Sequence, residues 1–292
     1  MSRKKFGDRK DAKRIKKIHS LAQISIDLKP NRSVSDVYIN RKVDVTELVK
    51  YIEKRKAAGN EVTYFHAFMT GIGKLLYNRP LLNRFVANRH IYEHNDVKIS
   101  FVAKVTFDDK SREVMMITKI NPNDTIDTIC EKIKKDLDKL RNKKEKKKEG
   151  ANGAIDVLAK LPNFLRVPVV GIFKWCDKKG ILPASLTKDN LYYSSIIVSN
   201  LGSIKCGAIF HNINDFGTCS SLATFGEIHD EEVIIDGKKQ VRKFCEFGVN
   251  LDERIADGYY FAKSLKMLED IFAKPENLEI RVGEKIEDVE LR

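Results

Sequence analysis

Side chains able to do chemistry concentrate in three short blocks of the C-terminal half. Val198-Ser199-Asn200-Leu201-Gly202-Ser203 puts a hydroxyl on a strand that runs into a tight glycine turn. Ile213-Asn214-Asp215-Phe216-Gly217 follows, with His211 just ahead of it. Asn250-Leu251-Asp252-Glu253-Arg254-Ile255-Ala256-Asp257-Gly258 then gathers three carboxylates around one arginine before an amphipathic helix. A base, a hydroxyl donor and a carboxylate are parts with which a protein moves a proton and stabilises an oxyanion. Each residue also has an ordinary use. Ser199 ends a strand, His211 is a lone loop histidine, and Asp257-Gly258 suits any strand-to-helix turn with Asp near the helix N-terminus.

Other chemistries find no support. The five cysteines, Cys130, Cys176, Cys206, Cys219 and Cys245, are scattered, odd in number and never spaced C-x-x-C. That fits reduced thiols in a cytoplasm and argues against a zinc site or a disulfide framework. No metal is expected, and there is no Gly-rich phosphate loop or G-x-S-x-G elbow. His66 reads as a core-edge histidine, while Asp108-Asp109 and Asp230-Glu231-Glu232 read as turns. The 292 residues carry a net charge of +13. Nearly all of it sits in residues 1–17, with nine Lys/Arg against two Asp, and in residues 134–149, with nine against four acidic residues. The remainder is almost neutral and shows no basic stripe interleaved with aromatics, so nucleic acid is not the expected partner. The basic arm is open to a solvated role, to a membrane surface or another anionic partner, and to attraction of a polyanion. No run of about 18 uncharged apolar residues is present, nor an apolar leader, so a cytoplasmic location is expected.

Periodicity sketches the elements that must position these blocks. Residues 1–20 form a basic arm, helical or disordered, and residues 21–285 one domain. A strand is predicted over 34–45, with Val37, Ile39, Val43 and Val45 on one face, and a helix from Asp44-Val45-Thr46-Glu47-Leu48 to about Ala58, ended by Gly59-Asn60. A second helix starts at Thr63 and stops at Pro80. Antiparallel strands over 97–106 and 113–120 turn at Asp108-Asp109-Lys110-Ser111. A charged helix follows from Thr125 to about Lys148, with Ile126, Ile129, Ile133, Leu137 and Leu140 as its stripe and residues 143–149 projecting into solvent. Residues 150–190 are an inserted apolar stretch broken by Pro162 and Pro168, read as short helices, a lid or an interfacial membrane segment. Strands are expected over 194–199 and 220–226, with a hairpin over 232–235 and 240–249 turning at Asp236-Gly237, and a closing helix over 259–272. The order is mixed and implies an α+β layered sandwich.

The three blocks resemble the S-N-L-G, I-N-P-P-Q and D-H-R-x-x-D-G blocks of 2-oxo-acid dehydrogenase acyltransferase catalytic domains, whose fold chloramphenicol acetyltransferase shares. Asp44-Val45-Thr46-Glu47-Leu48 and Arg79-Pro80-Leu81-Leu82-Asn83 are similar to N-terminal motifs of the same family. The resemblance covers about residues 35–140 and 190–275. Asp215-Phe216-Gly217 departs from the family's prolines and glutamine. The resemblance implies a two-layer sandwich with a mixed, largely antiparallel sheet, a homotrimer with sites between subunits, and acyl-CoA as substrate. It also implies contacts to coenzyme A near Asn200, Gly202 and Gly258. Neither a lipoyl attachment domain nor a Pro/Ala-rich linker is read in the chain.

Acyl transfer from a thioester needs a base for the acceptor, donors for the tetrahedral oxyanion and a dry channel. The resemblance gives Ser199 the oxyanion role, Asp257 the role of a structural carboxylate in an ion pair, and Gly258 that of a close-packed or unusually turned backbone. At the position of the family's catalytic histidine this chain has Glu253. Imidazole titrates near 6.5 and an ordinary glutamate near 4.3, so Glu253 needs burial to serve as a base towards a thiol. His211 is the candidate substitute imidazole. The expectation is therefore an acyl-CoA transferase with Glu253 at its centre, or a catalytically inactive homologue that binds CoA, an acyl ligand or a partner protein. A membrane-surface assembly protein is the third reading.

Overall fold

The computed structural model describes residues 8–104, 113–142, 158–188, 190–287 and 290–291. Nine strands form two sheets among these residues: β1 (Ala12–Arg14), β2 (Asp36–Asp44), β3 (Arg84–Ala87), β4 (His90–His94), β5 (Val97–Lys104), β6 (Glu113–Ile120), β7 (Ile196–Asn200), β8 (Ser221–Ile235) and β9 (Lys238–Asp252). The larger sheet has the order β2-β9-β8-β7-β5-β6. Its two inner pairs, β5/β7 and β7/β8, are parallel and the rest antiparallel. The α+β expectation with a mixed, largely antiparallel sheet holds.

Helices α1 (Ser20–Leu28), α2 (Thr46–Ala57), α3 (Tyr64–Asn78), α4 (Ile126–Asn142), α5 (Asn163–Lys179) and α6 (Gly258–Ala273) complete the order. Period-two alternation turns Ala223 and Phe225 of β8, and Phe247, Val249 and Leu251 of β9, into one core with α2, α3 and α6. Phe68 of α3 sits at its centre, 4.6 Å from the Phe225 ring, 5.3 Å from Phe247 and 5.4 Å from Phe272. The opposite face of the same strands, carrying Thr224, Gly248, Asn250 and Asp252, is left for other work.

Differences from the expectations have local causes. The strands foreseen at 220–226 and 232–235 are one continuous strand, β8, and Asp230-Glu231-Glu232 lies in it rather than in a turn. Its charges are met across the ladder by Lys243, Lys42 and Lys239. The hairpin does turn at Asp236-Gly237, both at positive φ. The stretch 150–190 contains the 17-residue helix α5, with Pro168 inside it, instead of short helices alone. Its buried Asp177 fixes it by accepting from the Tyr193 hydroxyl at 2.6 Å and the Gly217 amide at 2.8 Å. Part of the basic arm is neither helical nor solvated. Arg9 is buried against Asp11 and over the Phe85 ring, and β1 pairs with β4. His66 caps α3, its Nδ1 accepting from the Thr63 amide at 3.1 Å. The turn at 108–111, residues 143–149 and residues 1–7 lie outside the described residues.

The small β1-β4-β3 sheet is joined to the rest through His94. Its Nδ1–H donates to the Asn83 carbonyl and its Nε2 accepts from the Thr218 hydroxyl, both at 3.0 Å. Burial drives the imidazole pKa down from 6.5 to about 4; the Asn83 carbonyl and Asp11 oppose the shift, while Lys98 and Arg9 reinforce it. Between pH 4 and 6.5 the unfolded chain therefore binds more protons than the folded one. The neutral, bridging His94 stabilises fully above pH 6.5, and that contribution is lost as pH falls towards 4. The whole effect is about 3 kcal/mol. Urea unfolding across this range should show a stability slope that flattens in His94→Gln; an unchanged slope would contradict the assignment.

Candidate functional site

The third block is built on a buried ion pair at the end of β9. Arg254 reaches back to Asp252 through two parallel contacts, Nε to Oδ1 at 2.8 Å and Nη2 to Oδ2 at 2.7 Å. The two side chains are 1% and 0% exposed. At that burial the fork geometry and both hydrogen bonds are needed to offset desolvation. Arg254 Nη1 also donates to the carbonyl of Lys29 at 2.8 Å. This brings the chain just after α1 to the end of β9. Glu253, between the two partners, donates its amide to the Ser35 carbonyl at 3.0 Å. Its carboxylate is ion-paired with the Lys29 ammonium. These two side chains remain partly open, at 35% and 43% exposure.

The segment leading into the second block crosses the sheet face opposite the helices. The Glu227 amide donates to Cys206 at 3.0 Å, Thr224 Oγ1 donates to the Ile209 carbonyl at 2.6 Å, and the His211 amide donates to Asn250 Oδ1 at 3.3 Å. The Ile213 amide then donates to Asp36 Oδ2 at 3.0 Å. The segment lies so close that a Cβ on Gly248 would come within 2.6 Å of the Ile209 carbonyl oxygen. The loop after it, where Asp215-Phe216-Gly217 breaks the family pattern, is held by the buried Arg32. That guanidinium donates to the Asn214 carbonyl at 3.1 Å and the Gly217 carbonyl at 2.7 Å. Gly217 has φ +88, which explains why a glycine stands there. Asp36 Oδ1 and Asn250 Nδ2 are buried without a partner among the described residues.

The structure gathers some of the foreseen residues and keeps others apart. Glu253, Asp257 and Gly258 share one turn. Asp257 is exposed and is the N-cap of α6, accepting from the Tyr260 amide at 2.7 Å. A Cβ on Gly258 would meet nothing within 4 Å, so neither a close approach nor an unusual dihedral is needed there within one chain. His211 is exposed and touches the site through its backbone. Ser199 and Asn200 end β7, and Gly202 lies in the 3-10 turn Leu201–Ile204. Ser199 pairs with Thr224 and Thr224 with Gly248, five residues before Glu253. Two strand spacings and five residues of rise put Ser199 and Glu253 about 20 Å apart. One chain therefore does not bring its own hydroxyl to its own carboxylate. Among the described residues no group of acidic, histidine and cysteine side chains could hold a metal.

Solved structures similar to the chain include acyltransferase cores. The chain is similar to a probable dihydrolipoamide acetyltransferase from Listeria monocytogenes 4b F2365, at 19% identity and TM-score 0.56, covering 96% of this chain and 99% of that one. It is similar to a truncated catalytic core of the 2-oxoacid dehydrogenase multienzyme complex from Thermoplasma acidophilum, at 16% identity and TM-score 0.55, with 90% and 99% covered. A chloramphenicol acetyltransferase aligns at 12% identity and TM-score 0.53, with 89% and 99% covered. The fold is that of an acyltransferase catalytic core. Residues 182–280 of this acyltransferase fold also match the family described as 2-oxoacid dehydrogenases acyltransferase (catalytic domain). That span contains all three blocks. No curated protein sequence matches the chain.

Lys29 is the site residue that sequence reasoning missed. It lies 224 positions from Glu253, and nothing in the local pattern joins the two. The Asp252–Arg254 pair that positions it predicts a stability effect. In Arg254→Met the Asp252 carboxylate is left buried and unpaired, and unfolding free energy should fall by about 3–5 kcal/mol. Equilibrium urea denaturation measures this; a loss below about 1 kcal/mol would show that the pair does not carry the turn.

Proposed function

We propose that the chain is a CoA-dependent acyltransferase with an altered base, acting as a homotrimer in the cytoplasm. Glu253 stands where the family has histidine, fixed by the Ser35 carbonyl and the Asp252–Arg254 pair, with its carboxylate open to a reactant. That placement carries the reading. In the reaction, an acceptor attacks the thioester carbonyl and its proton passes to Glu253. Ser199 donates to the oxyanion, and CoA leaves as the thiol. Since Ser199 and Glu253 of one chain are far apart, the hydroxyl comes from a neighbouring copy. Apolar side chains left exposed on α1 and α5, among them Leu21, Leu28, Phe164 and Trp175, supply surface for copies to bury. Among the described residues no helix is long and apolar enough to cross a membrane.

The Lys29 contact favours a second reading. An ammonium standing against the carboxylate occupies the space a reactant would need, which suits a homologue that binds CoA or an acyl ligand without turnover. Thiol release from acetyl-CoA and longer acyl-CoAs, with thiol, alcohol and amine acceptors, separates the two. Acceptor-dependent turnover should fall by about 10²- to 10⁴-fold in Glu253→Ala, at unchanged CoA affinity. No turnover by wild-type protein that still binds CoA would replace the first reading with the second. Light scattering giving a mass other than three chains would remove the trimer.

A further inference from the structure

Lys29 is more than a counter-ion for Glu253. Its backbone is anchored by the Arg254 guanidinium, at 2.8 Å on the carbonyl, and that guanidinium is itself locked on the buried Asp252. Its ammonium meets the Glu253 carboxylate. Both ends of this pair are thus held by backbone contacts to buried structure, while the reacting groups stay partly open. In an acyl-transfer site the acceptor atom must lie within hydrogen-bond reach of the base. The nitrogen of Lys29 occupies that position. The chemistry of the base points the same way. An ordinary carboxylate lies about four pH units below a thiol, so it is poorly matched to a thiol acceptor. A neutral amine instead needs no base in order to attack, and the N–H of its carbonyl adduct is more acidic than that of an alkylammonium, so a weaker base can take it.

We infer that Lys29 is an acyl acceptor of this site, so that the protein acylates itself from an acyl-CoA. The inference rests on the reading of the site as one for CoA thioesters. The Lys29 ammonium first loses a proton to solvent. The free amine attacks the thioester carbonyl, forming a C–N bond. As the C–S bond breaks, the second N–H proton passes to Glu253, which returns it to the CoA thiolate. The products are an Nε-acyl-lysine amide, free CoA thiol and one released proton. Loss of the charge on Lys29 also dissolves its ion pair with Glu253.

The test uses the full chain with acetyl-CoA at pH 8, read by intact mass and by peptide mapping. Pro30 follows Lys29, so trypsin leaves that bond uncut in both forms. Free and acylated Lys29 then appear in the same peptide, residues 18–32, and their ratio gives occupancy directly. Lys29 should be acylated at least tenfold faster than the other lysines. In Glu253→Gln this preference should fall tenfold or more. In Lys29→Arg, which keeps the ion pair, one acyl group per chain should be lost. Circular dichroism checks that both variants fold, and calorimetric titration with CoA runs alongside. CoA binding with Lys29 labelled no faster than the other lysines overturns the inference and leaves the proposed function standing. Absence of CoA binding overturns both.

Discussion

The buried fork between Asp252 and Arg254 is the constraint on which this end of the molecule depends. The Asp252 carboxylate also accepts from the Arg254 amide at 3.1 Å, which turns the chain directly after β9 and leaves the residue between the partners facing outwards. That residue is Glu253. Having closed on Asp252, the guanidinium spends its remaining donor on the Lys29 carbonyl and draws α1 to the same place. A second buried arginine, Arg32, does comparable work a few residues on. It holds the carbonyls of Asn214 and Gly217 without an ion-paired carboxylate among the described residues, and burial lowers its pKa while the charge of Asp252 opposes this. Two arginines therefore tie together three segments that are distant in sequence, and the candidate site lies where they meet.

The sheet explains why such ties are needed. Its core face is satisfied by apolar alternation alone, since Phe225, Phe247, Val249 and Leu251 find Phe68 and Phe272 without any polar instruction. The opposite face carries Thr224, Gly248, Asn250 and Asp252. It is covered by residues 206–213 lying over Thr224, Gly248 and Asn250; Thr224 Oγ1 bonds both the amide and the carbonyl of Ile209, the His211 amide donates to Asn250, and Gly248 leaves room for the chain. Asp36 Oδ1 and Asn250 Nδ2 are nonetheless buried there without partners among the described residues. Buried polar groups are normally paired, so these orphans mark the face where further contacts would be made.

Most of the fold was legible because its main elements carry strong periodic signals. The α2 and α3 helices, the β5/β6 pair, the turn at Asp236-Gly237 and the closing helix all follow from local pattern. What escaped was set by contacts distant in sequence. The strand β8 runs through Asp230-Glu231-Glu232 because lysines across the ladder neutralise it, and no window of ten residues contains that information. Arg9 is buried in an arm whose charge suggested solvent, since Asp11 and the Phe85 face receive it. The site was half legible. The order of its three blocks was visible, and Glu253 stood out by its type. Its partner Lys29, and the distance separating it from Ser199, depend on the turn after α1 and on strand register.

That distance and that partner bear on how such a site could change its chemistry. In a site shared between copies, the hydroxyl and the base belong to different chains, so a substitution at the base does not disturb the strand that carries the hydroxyl. A carboxylate in place of imidazole brings a full negative charge to the end of β9. Close by, Asp252 is neutralised by Arg254, with the buried guanidinium of Arg32 acting on the same pair, so the charge of Glu253 is met by its own partner. An ammonium at Lys29 balances it, and does so from a backbone position that the same Arg254 holds. On the proposed reading, the exchange of an imidazole for a carboxylate is balanced electrostatically by Lys29. On the inference drawn above, the same placement makes this charge-balancing group the nucleophile for a thioester that enters.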